Sequence, residues 1–267
     1  DQVAQTRELA KLIKEADRSL TPWIYGPGPR EEYLDVLNCW MGGFGTPMEE
    51  GEIQHNPNGK AVQIAKKRGD KIGLYNPVDS YLLNLPLVYV RTLYWWAYQQ
   101  NLYWMSMYCL AYFTTGPQDL TNRRYWHYWV YPPVPGTNDI WDSSLRYEAT
   151  RSGLTDFDYL KTLEDQIIAL SKTIPALNGF IARNGVLVYT NALCANQTIR
   201  CADNKLYQHV KNAMKAELEL LAKHPKLLIH YTFDKDLTLH LYGKSGTRVK
   251  FNGKEYQCGN TVITIPL

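Results

Sequence analysis

The sequence has little net charge, no long apolar run and no internal repeat, and each lack removes a class of function. A balance of 29 Lys and Arg against 26 Asp and Glu leaves a formal charge of +3. That is too little to draw nucleic acid by releasing counterions, and the short clusters Lys66-Lys67-Arg68 and Arg123-Arg124 read as solvated faces. The longest strongly apolar stretch, Leu102 to Phe113, is too short to cross a bilayer and is dotted with Tyr and Ser, so no membrane span is expected. There is no Gly-rich phosphate loop, no Gly-x-Ser-x-Gly elbow and no Cys-His pair that spacing brings together. The 6 His are dispersed. His230 and His240 read as neighbours across two strands, but no acid or Cys stands at ligand spacing, so neither metal nor cofactor is expected. No signal peptide opens the chain, and its start at Asp1 reads as processed or trimmed.

Phe is scarce at 6, while Tyr reaches 20 and Trp 8. Tyr and Trp join an apolar ring to a polar edge, which suits stacking on sugars, burial against a partner, or filling a large barrel core. Of the 5 Cys, Cys194 and Cys201 flank the polar loop 195–200, a spacing that a local disulfide closes. Asn196-Gln197-Thr198 within that loop is an N-glycosylation sequon. Together they point to an oxidising, secretory history and a secreted or extracellular protein. Cys39 and Cys109 lie in apolar runs and read as buried thiols. Cys258 has no evident intrachain partner, which leaves an inter-chain bond open.

Periodicity predicts a helix through Leu9, Leu12, Ile13, Ala16 and Leu20, stopped by Thr21-Pro22. It then predicts a strand at Trp23 to Tyr25, a short helix from Pro29 to Leu37 and a strand from Asn38 to Gly42. A long loop from Gly43 to Gly59 leads to a helix to Arg68, a strand from Lys71 to Tyr75, a helix from Pro86 to Gln100 and a strand from Leu102 to Cys109. Such alternation argues for a parallel sheet with helices outside. Four strand-and-helix units make half of an eight-stranded barrel and leave two edges to be closed by other polypeptide. Downstream, an aromatic, Pro-rich segment (Thr114 to Asp142) precedes a long helix from about Thr155 to Ile174. Gly185 to Tyr189 reads as a strand and Asp203 to Lys223 as a helix. The tail reads as antiparallel strands at Leu227 to Phe233, Leu237 to Tyr242, Thr247 to Phe251 and Thr261 to Ile265, with Gly243, Gly246 and Asn252-Gly253 in the turns. The expected fold is α/β: the second half of a (β/α)8 TIM-type barrel with its aromatic closing segment over 1–175, a helical connection over 176–225, and a small C-terminal antiparallel β-domain over 226–267.

Four pieces of this chain resemble glycoside hydrolase family 123. Ser144-Leu145-Arg146-Tyr147-Glu148, Arg151, Gly153 and Asp156-Phe157-Asp158-Tyr159-Leu160 follow its pattern S-x-R-x-E-x-x-R-x-G-x-x-D-x-x-Y-L. Tyr131-Pro132 resembles its Tyr-Pro-Gly, with Pro133 in place of the Gly. Arg91 and Trp95 resemble its R-x-x-x-W helix, and Tyr103-Trp104 the Tyr-Trp of its last barrel strand. The resemblance covers roughly residues 70 to 165. It implies a β-N-acetylgalactosaminidase-like hydrolase that works by substrate assistance, with the acetamido oxygen attacking the anomeric carbon. In that scheme one Asp orients the acetamido group and the adjoining Glu protonates the leaving oxygen, a departure from the usual two-carboxylate route. The implied Asp-Glu pair falls just before residue 1 or is absent, so no catalytic residue is assigned within the chain. The partner implied is the N-terminal half of the same precursor or a companion chain.

Within the chain, Glu49-Glu50 with Glu52, and Asp79, follow predicted strands on the face where barrels keep their sites. A loop acid cluster is more often solvated than catalytic. Trp40, Tyr75, Asn76, Trp104 and Tyr108 lie at or near strand ends and are the sugar-contact candidates, with barrel core as the competing role. Arg146, Glu148, Arg151, Asp156 and Asp158 read as a structural set that fixes the aromatic segment through bidentate hydrogen bonds. The competing reading of the whole is a non-catalytic carbohydrate-binding or structural extracellular protein on a degenerate glycosidase fold.

Overall fold

The computed structural model describes residues 2–26, 28–42, 60–75, 86–106, 130–131, 142–177, 180–195, 200–224, 227–233, 237–243, 246–251, 253–258 and 261–265. Helix α1 (Gln2–Ala16) leads into β1 (Ile24–Gly26), then β2 (Cys39–Gly42), α2 (Lys60–Arg68), β3 (Lys71–Tyr75), α3 (Leu87–Gln100) and β4 (Trp104–Ser106). The four strands form one parallel sheet in the order β1-β2-β3-β4. Between β1 and β2 the expected helix shrinks to a 3-10 turn at Glu31–Tyr33, because Tyr33, Val36 and Leu37 are all drawn into the core over a few residues. Helix α3 is buried on nearly every side, from Val88 to Tyr98, as a helix must be when apolar residues surround it. Pro86 stands at its N-cap, and Asn101 ends it in the left-handed conformation at φ 58°.

Behind α3 lies a layer of three helices. Along the chain between β4 and that layer, β5 (Val130–Tyr131) and β6 (Asp142–Ser143) pair as a short antiparallel ladder. Helix α4 spans Leu145–Ser171 and begins ten residues before the position that periodicity suggests. Its N-cap is Ser144, whose hydroxyl accepts from the Tyr147 backbone N–H at 3.1 Å. Gly153 sits inside this helix because α3 comes close there: a Cβ would lie 2.4 Å from the Tyr94 ring and 3.1 Å from the Arg91 carbonyl. The segment expected as a strand at Gly185 to Tyr189 is instead part of α5 (Ala182–Leu193), whose buried Ala182, Gly185, Val186, Tyr189 and Leu193 recur at helical spacing. Helix α6 (Asn204–Lys223) is capped by Asp203, whose side chain accepts from the Lys205 N–H at 2.7 Å.

The tail forms an antiparallel sheet of β7 (Leu227–Phe233), β8 (Leu237–Gly243) and β11 (Thr261–Ile265) in the order β11-β8-β7. A separate hairpin joins β9 (Arg248–Phe251) to β10 (Lys254–Gln257), with Gly253 at φ 78° in its turn. The fold is thus mixed α/β, a parallel sheet with a separate antiparallel region. One core runs from Ala10 through the sheet and helices to Leu228, and a smaller one gathers Leu227, Leu239, Leu241, Cys258 and Ile263.

The expected Cys194–Cys201 disulfide is not formed. Both residues are free thiols, as are Cys39 and Cys258, and Cys109 and the sequon at Asn196 lie outside the described residues. The loop is closed by its backbone instead: Cys194 bridges to Arg200, and the Cys201 N–H donates to the Leu193 carbonyl at 2.7 Å. The Cys194 thiol turns inward to the Thr92 carbonyl, 3.3 Å away, while that of Cys201 turns to the Asp203 carbonyl at 3.1 Å. Burial pushes the Cys194 thiol up to about 12, so it behaves as an inert core group. No described helix is long and apolar enough to cross a membrane.

Glu217 on α6 is buried, and the Tyr189 hydroxyl of α5 donates to its carboxylate. Burial raises its carboxyl from 4.5 to about 7, against the opposing pull of the Tyr189 bond. The folded state therefore holds this proton where the unfolded chain has released it, and the contribution of Glu217 to stability falls as pH rises from about 4.5 through about 7. Glu217→Gln is expected to remove that slope and to raise the urea midpoint at pH 8, measured by urea unfolding across the range.

Candidate functional site

In an open parallel sheet the ligand side lies at the carboxyl ends of the strands. Those ends are brought level by register: Gly26 pairs with Gly42, Gly42 with Leu74, and Tyr75 with Ser106. Pairing also separates the two faces. Ile24, Trp40 and Ile72 pair across one row, and Leu74 and Met105 across the next, and all five join the helix-side core. Met41, Gly73 and Trp104 pair across the intervening row and so belong to the opposite face.

This parity corrects one sugar-contact candidate. Trp40 is wholly buried on the helix side, and its Nε1 donates to Asp70 at 2.8 Å. Asp70 is held in turn by Arg68 at 3.3 Å. Trp40 is a core residue with no face left for a ligand. Trp104 is different. It is half-buried, and its ring lies flat across Gly73, where a Cβ would be 2.2 Å from Nε1. That nitrogen is buried without a hydrogen-bond partner among the described residues. Tyr75 closes β3 opposite Ser106, while Asn76, Tyr108, Glu49, Glu50, Glu52 and Asp79 lie outside the described residues.

Beside β4, a cavity of about 270 Å³ opens between α3 and α4, lined by Tyr94, Leu102, Tyr103, Trp104, Tyr147 and Phe157 among others. Tyr103 is largely exposed and meets Trp104 edge-on at 5.4 Å, with the Lys71 ammonium 4.7 Å above its ring. Burial pushes the Tyr94 hydroxyl up to about 12, so it stays a neutral donor. Chemically this edge offers ring faces and neutral hydroxyls and no carboxylate among its described lining, which suits stacking on sugar C–H faces rather than acid-base work. Met41 and Ser106, on the face of Trp104, escape a reading based on residue type. Strict two-residue alternation from Trp40 and Trp104 is the signal that assigns them.

The set read as structural divides in two. Glu148 and Arg151 pair at 2.5 Å on the surface, and Ser143 donates to Glu148 at 2.8 Å. The Ser143 bond, then Arg151, hold the Glu148 carboxyl below its usual range. So exposed a pair adds little to stability. Asp158 is also exposed. Arg146 is buried within α4. Asp156 is wholly buried and takes Trp95 Nε1 at 3.2 Å from α3, the Tyr207 hydroxyl from α6, and Lys211 Nζ at 2.5 Å from α6. The Arg91 guanidinium stacks 4.6 Å over the Tyr207 ring, and Trp95 meets that ring edge-on at 6.0 Å. Arg91 and Trp95, one turn apart on α3, and the distant Asp156 on α4 thus meet around one aromatic ring. The aromatic segment that Arg146, Glu148, Arg151, Asp156 and Asp158 are expected to fix lies almost wholly outside the described residues.

The described residues contain no group of three His, Cys, Asp or Glu able to hold a metal ion. Asp156→Ala strands a Lys211 charge and two buried donors and is expected to cost about 3–5 kcal/mol of folding stability, read from urea unfolding. Gly73→Ala drives a methyl into the Trp104 ring and is expected to cost about 1–3 kcal/mol and to shift the tryptophan emission.

No protein-family model matches the chain. No curated protein matches it either. Among solved structures it is similar to a family 123 glycoside hydrolase from Clostridium perfringens, described in connection with glycolipid glycan hydrolysis. That likeness has a TM-score of 0.46 at 14% identity and takes in 80% of this chain and 39% of the other. The chain therefore spans well under half the length of that enzyme, and the resemblance to family 123 is a partial one.

Proposed function

We propose that this chain forms the second half of a (β/α)8 barrel in a secreted glycoside hydrolase that removes terminal β-linked N-acetylhexosamine, of the N-acetylgalactosamine type, by substrate assistance. The observation that carries the reading is the meeting of Trp95 and Asp156 at 3.2 Å, with Gly153 against Arg91. Residues matched to separate pieces of the family 123 pattern serve one packing purpose behind a four-stranded parallel sheet. In this reading the acetamido oxygen of the substrate attacks the anomeric carbon. An Asp-Glu pair, supplied by polypeptide preceding residue 1, orients the acetamido group and protonates the departing oxygen. Tyr75, Asn76, Trp104 and Tyr108 line the sugar subsite. The division at 175 and 225, glycosylation at Asn196 and an extracellular setting belong to the same proposal.

The test is hydrolysis by the intact precursor of chromogenic β-N-acetylgalactosaminide and β-N-acetylglucosaminide from pH about 3 to 8. The expected outcome is turnover of acetamido substrates and none of their 2-hydroxy counterparts, which have no internal nucleophile. Absence of turnover across that range overturns the enzyme reading and leaves a non-catalytic carbohydrate-binding or structural protein.

A further inference from the structure

Away from the parallel sheet, a groove of about 900 Å³ runs between α5 and the β7–β8 sheet. That volume lies toward the upper end for small-ligand sites. One wall is aromatic. His230 and His240 stand opposite each other across β7 and β8, with ring centroids 5.8 Å apart. Tyr242 follows on the same face of β8, its ring nearly parallel to that of His240, at 11° and 6.3 Å between centroids. Phe180 braces the row, 5.3 Å from His230 and 5.7 Å from Tyr242. The other wall is α5, which presents Asn184 and Asn191, two turns apart and both exposed. The Asn191 carbonyl oxygen is taken by Gln99 Nε2 at 2.7 Å, which leaves its two N–H donors without a partner among the described residues.

The lining excludes most ligands. No Lys, Arg, Asp or Glu lines the groove among the described residues, so nothing there neutralises a phosphate, a carboxylate or an ammonium. Burial, and then the neighbouring His240, lower the His230 imidazole to about 4, so it supplies no cation at neutral pH. A purely apolar occupant would leave the Asn184 and Asn191 carboxamides and the His230 ring, which is 9% exposed, without polar contact. What remains is a neutral molecule with apolar faces and many hydroxyl or amide groups.

We infer that the groove between α5 and the β7–β8 sheet is a carbohydrate-binding site for a neutral oligosaccharide. Sugar C–H faces lie on the row of Tyr242 and His240, and sugar hydroxyl and acetamido groups bond to the carboxamides of Asn184 and Asn191 and to the His230 ring. It is separate from the proposed sugar subsite on the parallel sheet and requires no bond cleavage.

The test follows the imidazole C–H signals of the protein by NMR while the thio-linked, uncleavable analogue of N,N′-diacetylchitobiose, and its galacto-configured counterpart, are added. With either sugar, saturable shifts are expected at His230 and His240 and at none of the other His. The double variant N184A/N191A places Ala on an exposed helix face, which preserves the helix. It is expected to weaken binding roughly tenfold, the loss of one or two amide hydrogen bonds, with its melting temperature little changed. No shift with either sugar, shifts only at other His residues, or equal affinity in the double variant each overturns the inference. Because the probes cannot be hydrolysed, a failure here is distinct from a failure of the glycosidase reading.

Discussion

The buried carboxylate of Asp156 is the point on which the helical half of this molecule turns. A charge with no solvent access persists only where it is paired, and groups from two neighbouring helices pair it. Trp95 contributes from α3, and Tyr207 and Lys211 from α6, while Asp156 itself belongs to α4. The spacing of these helices is then set by bond lengths rather than by oil-like contact, and Gly153 lets α3 and α4 approach closely enough for the bonds to form. Buried residues of α3 share one core with Ile72 and Leu74 of β3 and Met105 of β4, so the helical layer and the sheet pack together.

A division of labour follows. The helix-side face of the sheet is committed to packing: Trp40, Ile72 and Leu74 are buried there with no surface to spare. The opposite face and the β4 edge keep half-exposed rings, Trp104 over Gly73 and Tyr103 beside it. Bulk of similar kind therefore does opposite work at Trp40 and Trp104, and strand parity decides which.

Most elements of the first hundred residues, the helix that shrinks to a turn at Glu31–Tyr33 excepted, were legible because hydrophobic period and strand length agree there, and β3 falls where the pattern sets it. So do β7, β11 and, to within a residue, α6. Three features were not legible. The first turns of α4 hide behind Gly153, a residue unfavourable inside a helix whose place is explained only by the facing Tyr94. In α5 the run Val186-Leu187-Val188-Tyr189 has strong strand propensity, and tertiary burial at helical spacing overrides it. The cysteine pair has a spacing that a disulfide could close, but the chain turns the two thiols toward different carbonyls. At the candidate site, residue type pointed to Trp40 and Trp104 alike, and only the pairing register separates them.

Two interior groups respond to acid in opposite senses. His230, lowered from 6.5 to about 4, takes up its proton in the unfolded chain first, so its contribution to stability is lost as pH falls from about 6.5 to about 4. Glu217 has the reverse slope over nearly the same interval. Between about 4.5 and 6.5 the proton uptake of one offsets the proton release of the other, so these two groups together leave the fold nearly indifferent to mild acidification. Neither group touches the other, and the compensation arises only because both are inside.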